Sequence, residues 1–133
     1  MSIDAMMDTH PLAGGADLSG AVRVIEDCLQ CLATCTACAD ACLAEDDPGG
    51  LVSCIRLNLD CADVCAATAR VLARRTAQSR EVLGALVAAC AEACRACAEE
   101  CERHASHHAH CEVCARACRR CAESCEELAS ALD

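Results

Sequence analysis

The sequence predicts an all-α fold: an antiparallel up-down-up-down four-helix bundle preceded by a short N-terminal arm or helix. Three observations carry this prediction. Seventeen of the 133 residues are cysteine, and nearly all recur at alternating steps of three and four, the spacing that stacks side chains on one face of an α-helix. Phe, Tyr and Trp are absent, so sulfur stands where a bundle keeps its core. Turn signals then divide the cysteine-bearing region into four segments of similar length, with connections short enough to favour antiparallel neighbours.

Residues 1–19, MSIDAMMDTHPLAGGADLS, form the arm. They carry no basic n-region, no apolar h-region and no twin arginine, so no export signal is expected and the chain is expected to be cytoplasmic. Residues 20–133 form the cysteine-lined bundle. Its first helix, over 20–45, presents Cys28, Cys31, Cys35, Cys38 and Cys42. The segment Glu45-Asp46-Asp47-Pro48-Gly49-Gly50 ends it and offers Asp47 as an N-cap with Pro48 at N1.

The second helix, over 50–74, carries Cys54, Cys61 and Cys65. Its one inward position without cysteine is Asn58, whose amide is either a hydrogen-bonding spacer or a ligand through its carbonyl oxygen. Arg74 and Arg75 suit the C-terminal end of this helix, and Ser79 is the expected cap of the third. That helix, over 79–104, carries Cys90, Cys94, Cys97 and Cys101. The last break has no glycine or proline. Cys90, Cys94, Cys97, Cys101, His104, His108 and Cys111 keep one three-four register, but Cys114 and Cys118 depart from it. This phase slip places a turn near 104–106 with Ser106 as cap, a single helix with a stutter being the alternative. The fourth helix, over 106–131, carries Cys111, Cys114, Cys118, Cys121 and Cys125.

Counting from the end that holds the first and third turns aligns the stripes into rungs. Cys42, Cys54 and Cys101 share a level with Cys111 slightly deeper; Cys38 and Cys97 follow, then Cys35, Cys61 and Cys94, then Cys31, Cys65 and Cys90. Beyond them the core positions become Val24, Thr68, Leu72, Val87, Leu83, Leu128 and Leu132, which close one end with hydrocarbon. The other end is polar, with His104, His107, His108 and His110 beside Glu45, Asp46 and Asp47. Ions would enter there. His104 and His108 hold the core register; His107 and His110 could face outward.

The formal charge of −10 and a pI near 4.8 argue against a nucleic-acid partner, since phosphate binding rests on clustered Lys and Arg. No run of residues is long and apolar enough to suggest a membrane span. An odd number of cysteines, placed on adjacent turns of one helix, also argues against a disulfide framework. Reduced thiols remain, and soft thiolates select Cu(I). Cys-x-x-Cys and Cys-x-x-x-Cys offer two sulfurs to one such ion, and a bridging sulfur extends the array to many ions. Zinc prefers closed, separate tetrahedral sites, iron–sulfur clusters want four cysteines each, usually from loops, and a thiol oxidoreductase needs one exposed pair near a βαβ pattern. A zinc-buffering bundle and a thiol oxidoreductase are the alternatives to a copper store. No catalytic residue is expected.

With these residues in place the chain resembles the cytosolic four-helix-bundle copper storage proteins over about residues 20–131, and its cysteine rungs carry the resemblance. The resemblance implies storage and detoxification of multiple Cu(I) ions along the core by Cys thiolates. It also implies ligation by an asparagine and by histidines at the open end, which match Asn58 and His104, His108 and His110. Relatives use methionines near the mouth; Met6 and Met7 lie in the arm and are expected to be flexible-tail residues. The resemblance implies a homo-oligomer, commonly a tetramer. Leu29, Leu32, Ile55, Leu57, Leu59 and Val64, flanking the sulfur stripes of the first two helices, give that expectation an apolar outer face.

Overall fold

The computed structural model describes residues 3–13 and 18–133. Five α-helices follow one another: α1 (Ile3–Asp8), α2 (Leu18–Leu43), α3 (Val52–Ala73), α4 (Arg80–His104) and α5 (Ala109–Leu132), with a 3₁₀ turn at Pro48–Leu51 before α3. The long helices α2 to α5 make the bundle. Each packs on two others, α2 on α3 and α5, and α4 on the same two, which closes a square of antiparallel neighbours. The short α1 packs on α2. No strand occurs among the described residues.

The cysteine stripes decide which faces turn inward. All seventeen cysteines are buried and unpaired, and Ala39, Ala62, Ala91, Ala98, Ala115 and Ala122 fill the seams beside them. Sulfur and alanine are small, so the four helices close without any aromatic side chain. Past the last thiols lie Val24 and Val87, both fully buried, with Leu72, Leu83 and Leu128, the expected hydrocarbon plug. Thr68 is fully buried there too; its hydroxyl donates to the Val64 carbonyl one turn back, at 2.7 Å, so the plug contains no unpaired hydroxyl.

The turn at the plug end follows its sequence signals. Ser79 Oγ accepts from the Val82 amide at 3.2 Å, the expected N-cap. Arg80 donates to the carbonyls of Ala131 and Leu132, satisfying acceptors that the end of α5 leaves open. Between the helices Ala77 takes a left-handed conformation, φ 55°.

Three expectations need correction. The α4–α5 turn occupies residues 105–108, and the N-cap position of α5 falls on His108, not Ser106, with no side-chain capping bond. Asp47 does precede the 3₁₀ turn with Pro48 inside it, but its side chain makes no capping bond. Met7 is not a flexible-tail residue: it is 2% exposed and belongs to the apolar core cluster, while its neighbour Met6 stays 63% exposed. An amphipathic turn at Ile3–Asp8 buries one of the two methionines and leaves the other in solvent.

Candidate metal centre

Stripes from four helices converge so closely that thiols of different helices meet. Cys28 Sγ lies 3.7 Å from Cys90 and from Cys121, Cys61 is 3.7 Å from Cys94, and Cys35 is 3.6 Å from Cys118. Groups of four thiols with all their sulfurs within 4.8 Å of one another include Cys28/Cys90/Cys121/Cys125, Cys31/Cys65/Cys94/Cys121, Cys31/Cys35/Cys61/Cys118, Cys35/Cys97/Cys114/Cys118 and Cys38/Cys42/Cys54/Cys111. Cys101 joins them 3.8 Å from Cys54. Cys31, Cys35, Cys118 and Cys121 each belong to two groups, so the first four groups form a continuous column rather than separate cages, with the fifth above them toward the open end.

The levels expected between α3 and α4 hold: Cys54 meets Cys101, Cys61 meets Cys94 and Cys65 meets Cys90, at 3.8, 3.7 and 3.9 Å. The level of α2 holds in part: Cys35 and Cys61, Cys31 and Cys65, and Cys42 and Cys54 share four-thiol groups as expected, but α2 sits between rungs. Cys28, rather than Cys31, touches Cys90, and Cys31 reaches Cys61 at 3.8 Å as well as lying with Cys65. α2 ends at Leu43 and α3 begins only at Val52. The intervening turn includes a 3₁₀ segment, which rises about 2.0 Å per residue against 1.5 Å in an α-helix, so counting residues misplaces α2 by a fraction of a step.

Asn58 is fully buried among these sulfurs. Its Nδ2 donates to the Cys54 carbonyl at 2.8 Å, which turns the amide oxygen into the core. That oxygen accepts from the thiols of Cys114 at 2.9 Å and Cys97 at 3.2 Å. In the metal-free protein the amide therefore satisfies thiols of α4 and α5 from a position on α3.

The open end gathers the histidines. His110 Nδ1 is 3.3 Å from Cys38 Sγ and 3.7 Å from Cys111 Sγ, so His110 faces the uppermost sulfur group. Its Nε2–H donates to Glu45 Oε2 at 2.8 Å. The same oxygen accepts from His108 Nδ1 at 2.9 Å, and the two rings stack with centroids 5.6 Å apart. His104 Nε2 donates to Glu100 at 2.8 Å. His104 and His108 line a cavity of about 310 Å³ at the mouth, with Asp46, Asp47 and Gly50; His107 is exposed. The two carboxylate partners were missed by sequence reasoning. Glu100 was legible, four residues before His104 on one helix face; Glu45 was not, because a tertiary turn brings it to α5.

Burial pushes the thiols of Cys42 and Cys111 up, to about 11 and about 12, since a dry core disfavours thiolate. Cys28 moves down to about 6, first because the Cys121 thiol, and then the Cys125 thiol, donates to its thiolate. Glu45 sits below the usual carboxylate range, its largest cause the His110 hydrogen bond. A core of this kind takes up soft monovalent cations well: each ion replaces thiol protons and offsets the thiolate charge left behind.

The family described as Csp, copper storage protein, matches residues 18–130. The chain belongs to that family. A Streptomyces lividans copper storage protein, Ccsp, loaded with 10 copper equivalents, superposes with a TM-score of 0.94 at 49% identity, covering 97% of this chain and 98% of that one. The Cu(I)-bound copper storage protein BsCsp3 superposes at 0.71 with 39% identity, covering 80% and 94%. The cysteine-rich protein YhjQ of Bacillus subtilis strain 168 is 39% identical over 89 residues, 67% of this chain and 77% of its own. The copper storage fold of this chain is thus all helical, and no described helix is long and apolar enough to cross a membrane.

Proposed function

We propose that this chain is a cytosolic copper storage and detoxification protein that holds many Cu(I) ions along its core and turns over no substrate. One observation carries the reading: four successive four-thiol groups, from Cys28/Cys90/Cys121/Cys125 to Cys35/Cys97/Cys114/Cys118, share members. Bridging sulfurs suit Cu(I), whose low coordination numbers let one thiolate serve two ions. In the separate tetrahedral sites that zinc prefers, seventeen cysteines would hold no more than about four ions and the shared members would go unused.

The proposed ligands are the seventeen cysteines with Asn58, His104, His108 and His110. Residues 20–133 are the storage unit and residues 1–19 an accessory arm. The same reading extends to a homo-oligomer, a tetramer in the family resemblance. Leu29 and Leu59 are each 45% exposed, with Leu32, Ile55, Leu57 and Val64 partly buried beside them, an apolar face on α2 and α3 suited to a second copy.

Anaerobic titration of the reduced protein tests the metal. Well over four Cu(I) equivalents per chain, held against a strong Cu(I) chelator, is the expected result. Saturation at about four Zn(II), with Cu(I) lost to the chelator, would favour a zinc buffer.

A further inference from the structure

We propose that the open end of the bundle is a docking surface for a small Cu(I)-carrying protein whose metal thiolates sit on an apolar, lysine- or arginine-rich face, held by Leu43, Val52, Val113, Asp46 and Asp47. The proposal rests on the storage reading and names the partner for it. Leu43, Val52 and Val113 are 60%, 63% and 60% exposed. They end α2, begin α3 and lie near the start of α5, so three helices carry them to the same end of the bundle. The mouth cavity of about 310 Å³ opens beside them. Leu43 stands two residues before Glu45 and Val52 follows Leu51, both of which line the cavity; Val113 is three residues past His110. Exposed apolar residues scattered singly need no account, but three round one opening form a patch that a partner can cover.

Charge decides what kind of partner fits. Asp46 and Asp47 are exposed and make no ion pair among the described residues. The arginines nearest this end are already taken, Arg56 by Asp60, Arg103 by Glu100 and Arg116 by Glu112. Two free carboxylates therefore stand on the apolar rim, where they favour a cationic face and repel an anionic one. In a thiol-rich solution Cu(I) travels as a thiolate complex. Its glutathione complex is anionic and has no apolar surface to lay on the rim. A carrier protein with apolar and cationic residues beside its metal thiolates matches both halves of it.

Docking puts the carrier's metal against the cavity that His104 and His108 line. The transfer balances: donor S–Cu(I) and column S–H become column S–Cu(I) and donor S–H, the proton leaving on the carrier and copper keeping its oxidation state. Leu43, Val52 and Val113 add contact area and no metal ligand, so they act on how fast copper arrives rather than on where it is held.

Stopped-flow transfer to the full, metal-free chain tests the rim with synthetic peptides, each carrying one Cu(I) and a fluorophore that copper quenches. The probes are Lys-Leu-Cys-Gly-Gly-Cys-Leu-Lys, the same peptide with glutamate for lysine, and the same with serine for leucine. In about 10 mM salt, where charge reaches about 30 Å, the lysine-leucine peptide should deliver copper at least about tenfold faster than the glutamate peptide. About 1 M salt should bring the two rates together; equal rates at low salt overturn the proposal. Asp46→Asn with Asp47→Asn should slow the lysine-leucine peptide about fivefold. Glu26→Gln with Glu123→Gln, the same loss of charge at exposed positions toward the plug, should leave it within about twofold. Equal slowing would mean that net charge alone steers the donor, and overturns the rim. Leu43→Ser, Val52→Ser and Val113→Ser together should bring the lysine-leucine peptide down to the rate of its serine counterpart, and an unchanged rate overturns the apolar contact. A wild-type protein that yields all its Cu(I) to bicinchoninate overturns the storage reading itself. The copper-free lysine-leucine peptide then still judges the rim: it should shift the methyl resonances of Leu43, Val52 and Val113 in ¹³C NMR before those of Leu29, Leu59 or Val82, and shifts that begin elsewhere, or none, overturn the docking surface.

Discussion

The Asn58 amide oxygen accepts a hydrogen bond from the Cys114 thiol at 2.9 Å, linking α3 to α5 across the diagonal of the bundle. The bond exists because Asn58 Nδ2 is held on the Cys54 carbonyl, leaving the oxygen only one way to point. Asn58→Ala deletes that acceptor for both Cys114 and Cys97 and should destabilise the metal-free protein by about 1–3 kcal/mol in anaerobic urea unfolding. Asn58→Leu fills the volume without restoring the acceptor and should cost less. If Asn58 also ligates copper, both variants lose about one Cu(I); full capacity in Asn58→Leu would reduce the residue to a spacer.

The helices and their inward faces were legible because cysteine at three-four spacing leaves one solution for a chain without aromatics. Asn58 stood out for the same reason, as the gap in a stripe. The relative height of α2 was legible only to within a fraction of a rung, because the rise through residues 44–51 includes a 3₁₀ turn that counting residues does not register. His110 was ambiguous by register, one residue before Cys111, and only the turn at 105–108 rotates it toward Cys38. Glu45 was visible as charge at the mouth but not as an acceptor shared by two imidazoles. Periodicity reports which face a residue occupies; it does not report where a loop returns.

The plug end separates stability from capacity. Leu72 is 2% exposed, beyond the last thiols, and truncating it removes buried hydrocarbon and no sulfur. Leu72→Ala should cost about 2–5 kcal/mol in urea unfolding of the metal-free protein, with its Cu(I) equivalents unchanged. A loss of capacity in the folded variant would mean that the plug shapes the column rather than merely closing it.

The column also predicts graded losses. Cys94 and Cys97 form one Cys-x-x-Cys pair, yet Cys94 belongs with Cys31, Cys65 and Cys121, and Cys97 with Cys35, Cys114 and Cys118. Replacing both by serine should remove a minority of the Cu(I) capacity, because neighbouring sulfurs keep their other partners. Copper counted by atomic absorption after gel filtration reads the result. Loss of all binding through this one pair would point to a single reactive dithiol and against storage.

Proton linkage gives the last test. Cys42 and Cys111 are raised to about 11 and about 12, chiefly by burial, against about 8.5 for an exposed thiol. Between these values the unfolded chain has lost protons that the folded metal-free protein keeps. Their contribution to stability is therefore complete below about 8.5 and is lost as pH rises toward 11 and 12. Cys28, lowered to about 6, acts in the window below about 8.5 and leaves the alkaline limb unchanged. Copper displaces these thiol protons on binding, so the loaded protein has none of them left to give up. Melting followed by circular dichroism under argon should show the metal-free protein losing stability across the alkaline window while the loaded protein stays level. Parallel decline of both forms would mean that raised thiols of the core keep their protons when copper is bound, and would count against thiolate ligation along the column.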